Sequence, residues 1–279
     1  MFGTVKQESR TCFTLRLKEQ PKLLLISDVH FDSVKCDRIL LFKHLDKAQA
    51  EGYNVFIFGD LFDLMGGKYD PRSSYSDIRP EYKSITYLDD VIEDAYERLK
   101  KYDCIRFISR GNHETNIEKR MHTSPLDRFA QMFPAEKRPR VAGYSGWIKV
   151  VQEVKGSHRS IQSLIHYHHG YGGNARRSKG VLNVDIDQMQ FADADLIVRG
   201  HTHQKWHLPI TTDRITLRSM RLHQRTTHHL QLGSYKLLGD RFAGWATEKG
   251  FLTPRLGGWW AELNKSKYDD PQWLIFEAN

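Results

Sequence analysis

Thiols are scarce in this chain. Its 279 residues hold only Cys12, Cys36 and Cys104, an odd set with no C-x-x-C pair. That argues against a disulfide framework or a cysteine-based zinc site and points to a reducing compartment. No run approaches the roughly 18 apolar residues that a membrane-spanning helix needs. The first 20 residues show no apolar stretch ahead of a small-residue cleavage site. No signal peptide is therefore expected, and the location read from the sequence is cytoplasmic, without a membrane partner. Repeats, low-complexity tracts and long Ser/Gly linkers are also missing. The expectation is one domain over residues 1–279, with a core at about 22–236 and a C-terminal extension at about 237–279.

What the chain does have is histidine and positive charge. There are 14 histidines, and 42 Lys and Arg against 34 Asp and Glu, a net charge of +8. A hydrophobic share of 39% with mixed charges excludes a disordered chain. Residues 1–140 carry 24 basic and 22 acidic side chains, and residues 141–279 carry 18 and 12. The positive field therefore sits mostly in the second half, where it would concentrate an anionic ligand.

In the first half, short apolar runs alternate with helical patterns. Strands are predicted at 22–27, 54–58 and 104–109, and helices at 37–50 and 87–99. Such alternation predicts a mainly parallel sheet. The second half predicts short strands at 147–154, 160–167, 196–199, 205–208, 215–218 and 228–232, one helix near 185–191, and a closing strand at 273–276. That pattern suits a second sheet packed on the first.

Five of these runs end alike. They lead into Asp28-Val29-His30, Gly59-Asp60-Leu61-Phe62-Asp63, Arg110-Gly111-Asn112-His113-Glu114, His168-His169-Gly170 and Gly200-His201-Thr202-His203. Ligands of α/β sheets bind beyond the carboxyl ends of strands, so the five ends are expected to converge. Imidazole and carboxylate oxygen suit Mn, Zn, Fe or Ni. The donors exceed what one divalent ion needs and fit two, with Asp60 the candidate to bridge them. A pair of ions is a device for in-line displacement at phosphorus. Asp28 and His30 are expected on one extended segment, pointing at one metal. Successive strand side chains alternate, so only one of His168 and His169 should face the metals.

In this order, D-x-H, G-D-x-x-D, G-N-H-E, a histidine before glycine, and G-H-x-H, the motifs resemble those of the calcineurin-like metallophosphoesterase superfamily. The resemblance implies an α/β (α+β) fold: two packed mixed β-sheets flanked by helices in a calcineurin-like four-layer sandwich. It implies two divalent ions, manganese first and zinc, iron or nickel as alternatives. Asp28, His30, Asp60 and His203 would hold one ion, and Asp60, Asn112, His169 and His201 the other. His169 is preferred to His168 because it directly precedes Gly170. His113 would act on the scissile phosphate as general acid, with Asp63 hydrogen-bonded to it. Glu114 and His168 would support the ligands from behind. Asp63 is followed by Leu64-Met65, whereas the protein serine/threonine phosphatase branch usually has Arg-Gly there.

The implied activity is metal-dependent hydrolysis of a phosphoester. The glycine-rich loop after His169 carries Tyr171, Arg176, Arg177 and Lys179, which could clamp a second phosphate or stack a base. With the basic second half, this favours a phosphodiesterase or nuclease acting on nucleic acid or a nucleotide. The alternatives are a phosphomonoesterase acting on a nucleotide, small phosphometabolite or phosphoprotein, and a non-catalytic scaffold.

Overall fold

A computed structural model of the chain describes residues 2–66, 77–153, 160–172, 179–216, 220–237, 255–265 and 271–279. Two β-sheets pack face to face. The first has six strands in the order β13-β12-β3-β4-β5-β6: β3 is Lys22–Ile26, β4 Asn54–Phe58, β5 Ile105–Ser109, β6 Arg140–Ala142, β12 Trp259–Lys265 and β13 Pro271–Glu277. Strands β3 to β6 run parallel, while β12 joins β3 antiparallel, Trp260 opposite Leu24. The second sheet has seven strands in the order β1-β2-β7-β8-β9-β11-β10. Here β1 is Thr4–Gln7, β2 Cys12–Leu17, β7 Ser145–Glu153, β8 Ser160–His168, β9 Leu196–Arg199, β10 Trp206–Thr216 and β11 Arg221–Gln231.

The central strands read as unbroken apolar runs because both faces are buried. In β3 and β4, Leu24, Ile26, Val55 and Ile57 turn toward the helices. Their neighbours Leu23, Leu25, Phe56 and Phe58 turn toward the other sheet, as the two-residue strand period requires. Helices α1 (Arg38–Glu51), α2 (Tyr87–Leu99), α3 (Asn112–Met121) and α4 (Pro125–Gln131) cover the six-stranded sheet. Asp37 caps α1 by accepting the Leu40 N–H, and Gly52 ends it with φ of 78°. Helix α5 (Val184–Gln190) lies on the outer face of the seven-stranded sheet, where Gln188 meets His229 and Asp187 meets Arg199. The layers are thus helix, sheet, sheet, helix. No helix among the described residues is long and apolar enough to cross a membrane.

Several elements differ from the sequence expectation. Strands β1, β2 and β6 and helices α3 and α4 were not anticipated. The segments predicted at 205–208 and 215–218 both overlap one strand, β10, which runs eleven residues from Trp206 to Thr216 opposite an equally long β11. Polar residues fill this hairpin because much of it faces solvent, so it lacks the apolar signature of a buried strand. Strand β12 falls in a Gly- and Trp-rich region that gave no periodic signal. Its Trp259, Ala261 and Leu263 face the sheet interface.

Phe107 sits at the middle of the sandwich, fully buried, with Phe13, Phe56 and Tyr167 all 5.3 Å away between ring centroids. Phe107→Ala is expected to destabilise the protein by about 3–5 kcal/mol through lost burial and the cavity left behind. Phe276, 40% exposed at the sheet edge, should tolerate alanine far better. Urea unfolding of both variants checks the contrast.

Candidate metal centre

The ends of β3, β4, β5, β8 and β9 lie side by side, and the loops after them meet at one place. Strand-like pairing carries over from one loop to the next: Asp28, His30 and Phe31 donate backbone N–H groups to Gly59, Asp60 and Leu61. The loops then turn sharply. Asp28, His30, Asp60, His201 and His203 have φ values of 52°, 49°, 50°, 71° and 56°. Non-glycine residues rarely adopt this left-handed region, and such strain of about 1–3 kcal/mol per residue gathers at functional sites. The Asp28–His30 segment is therefore not extended as anticipated from sequence: Asp28 and His30 both take left-handed backbone conformations, and their side chains still converge.

Crowding fixes two glycines. Gly59 has φ of 88°, and a Cβ there would lie 2.2 Å from His169 Nδ1. At Gly111 a Cβ would lie 2.0 Å from Asp60 Oδ1, so the β4 and β5 loops can touch only without a side chain.

Three groups of donors converge, each with its atoms within 4.8 Å of one another: Asp28, His30 and His203; His30, Asp60 and His113; Asp60, His169 and His201. In the first, Asp28 Oδ1 lies 3.3 Å from His203 Nε2 and 3.9 Å from His30 Nε2, and the two ring nitrogens are 3.3 Å apart. In the third, His169 Nε2 lies 3.2 Å from Asp60 Oδ2. Asn112 Oδ1 joins them, 3.1 Å from His169 Nε2 and 2.8 Å from His201 Nδ1. His30 and Asp60 link the groups into a candidate dinuclear centre. The donor set fits divalent cations. Buried Asp28 Oδ1 has no hydrogen-bond partner and aims at two imidazole nitrogens, an arrangement that a cation would satisfy.

The surroundings hold these atoms in place. Asp28 Oδ2 takes the Ser27 hydroxyl at 2.6 Å and the His201 N–H at 2.9 Å. His169 donates from Nδ1 to the Phe58 carbonyl at 2.8 Å, which leaves Nε2 facing Asp60 and Asn112. His168 turns away, with its Nδ1 accepting the Gly170 N–H at 2.9 Å. Glu114 accepts the N–H groups of Asp60, Phe62 and Gly111 at 3.1, 3.1 and 2.9 Å.

His113 lies between the groups, with Nε2 3.8 Å from Asp60 Oδ2. Its partner differs from the expectation. The Asp63 backbone carbonyl, not the carboxylate, meets His113 Nδ1. The carboxylate Oδ1 is 3.7 Å from that nitrogen and only 2.7 Å from His30 Nδ1 and from Lys236 Nζ. The Asp63 carboxylate thus lies between the His30 ring and the Lys236 ammonium.

Buried groups are pushed apart electrostatically. Burial raises the Asp28 carboxyl, but facing His203 outweighs it and brings the pKa down to about 2. Asp60 is likewise held well below the ordinary range, His169 and His113 overcoming its burial. Burial lowers His30 to about 4. Burial also opposes the charged form of His169, but Asp60 prevails and lifts it to about 10. Glu114 rises to about 8 from burial and the nearby Asp60.

Of the proposed substrate residues, Tyr171 stands 55% exposed, edge-on to His168, with the Arg199 guanidinium 5.2 Å over its ring. Lys179 lies farther along, its carbonyl accepting the Trp206 indole N–H. Arg176 and Arg177 lie outside the described residues. Sequence reasoning missed Asp32, Lys236 and Tyr144. Buried Asp32 accepts the N–H groups of Asp63 and Leu64 and the Tyr87 hydroxyl. Tyr144 packs edge-on against His168 and His169. Asp32 was the one with a usable signal, since it extends D-x-H to D-x-H-x-D. A separate cavity of about 570 Å³, lined by Lys149, Gln162, Asp195 and Arg225, borders none of these candidate ligands.

The family model for calcineurin-like phosphoesterases matches residues 21–205. No curated protein matches the chain. Among solved structures, it is similar to GAP50, the anchor in the inner membrane complex of Plasmodium, at 13% identity and a TM-score of 0.49, over 93% of this chain and 85% of that one. It is also similar to zinc-complexed Vps29 from Entamoeba histolytica, at 13% identity and a TM-score of 0.35, over 92% and 99%. A metallophosphoesterase from Sphaerobacter thermophilus is 16% identical with a TM-score of 0.35, over 92% and 87%.

A cation taken at His169 Nε2 must displace the proton that Asp60 holds there. With that pKa near 10, the proton competes at every lower pH, so affinity should rise as pH increases from 6 toward 9. The expected slope is about tenfold per pH unit for each proton displaced. Calorimetric Mn titration at several pH values measures it; a flat profile would exclude His169 as a ligand.

Proposed function

The chain belongs to the calcineurin-like phosphoesterase family, and from that premise we propose that it hydrolyses phosphodiesters, with a nucleotide or nucleic-acid strand as substrate. Metal-dependent phosphoester hydrolysis is the chemistry that the family and the convergent Asp/His groups carry. The observation that bears the most weight is the joining of Asp28, His30 and His203 to Asp60, His169 and His201 through shared neighbours. Asp28, His30, Asp60 and His203 would hold one ion and Asp60, Asn112, His169 and His201 the other, with manganese the preferred metal. Such ions, when bound, supply Lewis acidity at the phosphate and activate water for in-line attack.

The chain's own residues do the rest. His113 keeps Nδ1 engaged by the Asp63 carbonyl, which leaves Nε2 as the atom that would face the reacting phosphate. As the imidazolium it would give its Nε2 proton to the leaving oxygen and stabilise charge developing on the phosphoryl oxygens. Asp63 orients it from the backbone. Glu114 and Asp32 hold the loops that carry Asp60 and Asp63.

The diester preference is supported by the basic second half and by Tyr171. Its ring is backed by Arg199 and exposed beside the centre, where a base attached to the phosphate could stack. Lys179, Arg176 and Arg177 are the cations proposed to meet further phosphate oxygens.

Protein loaded with Mn, and separately with Zn, Ni or Fe, can be offered a generic phosphomonoester, a generic phosphodiester, and single- and double-stranded nucleic acid. Diester or strand cleavage is expected. A clear monoester preference would overturn the substrate assignment, and no turnover by protein holding two ions would favour a scaffold. Asp60→Asn should abolish hydrolysis without unfolding the protein. His113→Ala should keep both ions yet lose about 10²–10⁴-fold in turnover of poor leaving groups, the usual contribution of general acid catalysis. Loss of an ion in His113→Ala would instead make His113 a ligand.

A further inference from the structure

We propose that Lys236 is a positioning residue for this centre, fixing the Asp63 carboxylate and, through it, the ligand His30. The inference rests on the dinuclear reading above and adds a residue that none of the five motifs contains.

Lys236 is held by its backbone before its side chain is considered. The Ser234 hydroxyl and the Tyr235 N–H both bond the Asp28 carbonyl, at 2.8 and 3.0 Å. The Lys236 N–H donates to Ser234 Oγ at 2.8 Å, and Lys236 forms a β-bridge with Cys36. The segment after β11 is thus tied to both ends of the loop that follows β3. From that anchor the side chain, 15% exposed, reaches Asp63 Oδ1 at 2.7 Å.

That one oxygen is crowded with nitrogen. His30 Nδ1 also lies 2.7 Å away, and His113 Nδ1 lies at 3.7 Å. Asp63 is itself only 2% exposed, and its N–H lies 2.6 Å from Oδ1 of the equally buried Asp32. A carboxylate as dry as that of Asp63 needs a counter-charge, since a buried charge without a partner is strongly unfavourable. Beside Asp63, the Lys236 ammonium brings a positive charge, whereas the rings of His30 and His113 are charged only when protonated. That ammonium holds the carboxylate in place against the Nδ1 side of His30. Nε2 of that ring then stays directed at Asp28 Oδ1 and His203 Nε2. Groups that orient a metal-binding histidine from its far nitrogen commonly change metal affinity by about 10–100-fold when removed. Here the orienting carboxylate has an orienting group of its own.

The effect should be one-sided. Asp60, His169 and His201 are held by a different set of groups: Glu114, the Phe58 carbonyl and Asn112.

Calorimetric titration with Mn, and metal analysis after gel filtration, would be run on wild-type protein, Lys236→Met, Lys236→Gln and Lys236→Arg, each checked by thermal melting. The expected result is two ions in wild type. In the Met and Gln variants one ion should bind about 10–100-fold more weakly and the other unchanged, with most of the loss recovered in Lys236→Arg. Wild-type affinity for both ions in folded Met or Gln variants overturns the proposal, as does equal weakening of both. Wild-type protein that takes fewer than two ions overturns the dinuclear reading itself, and the role of Lys236 with it.

Discussion

One buried carboxylate ties the centre together. Glu114, at the first turn of α3, gathers the backbone N–H groups of Asp60 and Phe62 from one loop and of Gly111 from another. Those bonds hold the β4 and β5 loops so close that Gly111 has no room for a side chain. The same approach lets Asp60 Oδ1 accept the His113 N–H at 3.0 Å while Oδ2 faces His169. Three backbone donors favour the charged form of Glu114, while burial and the Asp60 charge oppose it. A cation beside Asp60 would relieve the second of these, which couples the loop scaffold to occupancy of the centre.

Much of this was legible in the sequence. Strands β3, β4 and β5 announced themselves as apolar runs because each is buried on both faces. The chemistry-bearing residues followed those runs directly, so order alone placed them at strand ends. The rest depended on contacts between distant segments. Lys236 reaches Asp63 across 173 positions of chain, and nothing local to Gly233-Ser234-Tyr235-Lys236 signals a site. The choice between the Asp63 carboxylate and its carbonyl for His113 was likewise invisible, because it turns on where Lys236 and His30 pull the side chain. The long β10–β11 hairpin was read as fragments because solvent, not core, faces much of it.

Histidine is abundant here for two separate reasons. His30, His113, His169, His201 and His203 crowd the candidate centre, where imidazole offers a donor to a cation or a proton to a leaving group. Others are packed as structural rings. His44 bonds the Tyr235 hydroxyl at 2.7 Å, His166 stacks on Phe191, and His207 pairs with His228 at 2.9 Å. Burial lowers His166 and His228 to about 4, so these rings act as neutral polar packing. Composition alone could not separate the two uses; position relative to the strand ends does.

The order in which this chain leaves a ribosome gives the strand topology another meaning. Strands β3 to β6 and their helices form from one contiguous stretch, residues 22–142, and can assemble early. The N-terminal β1–β2 hairpin has no further strand to pair with until β7, beginning at Ser145, has been made. The free edge of β3 waits longer still, for Trp259–Glu262. Contacts so far apart in sequence slow folding and leave edges open meanwhile. The loop carrying Asp28 and His30 sits on that late-sealed edge, and its carbonyl partner Tyr235 arrives after every candidate ligand has been made. The candidate ligands therefore complete their surroundings only after Tyr235 has been made, so the site closes as a late step of folding rather than as the nucleus around which the chain folds.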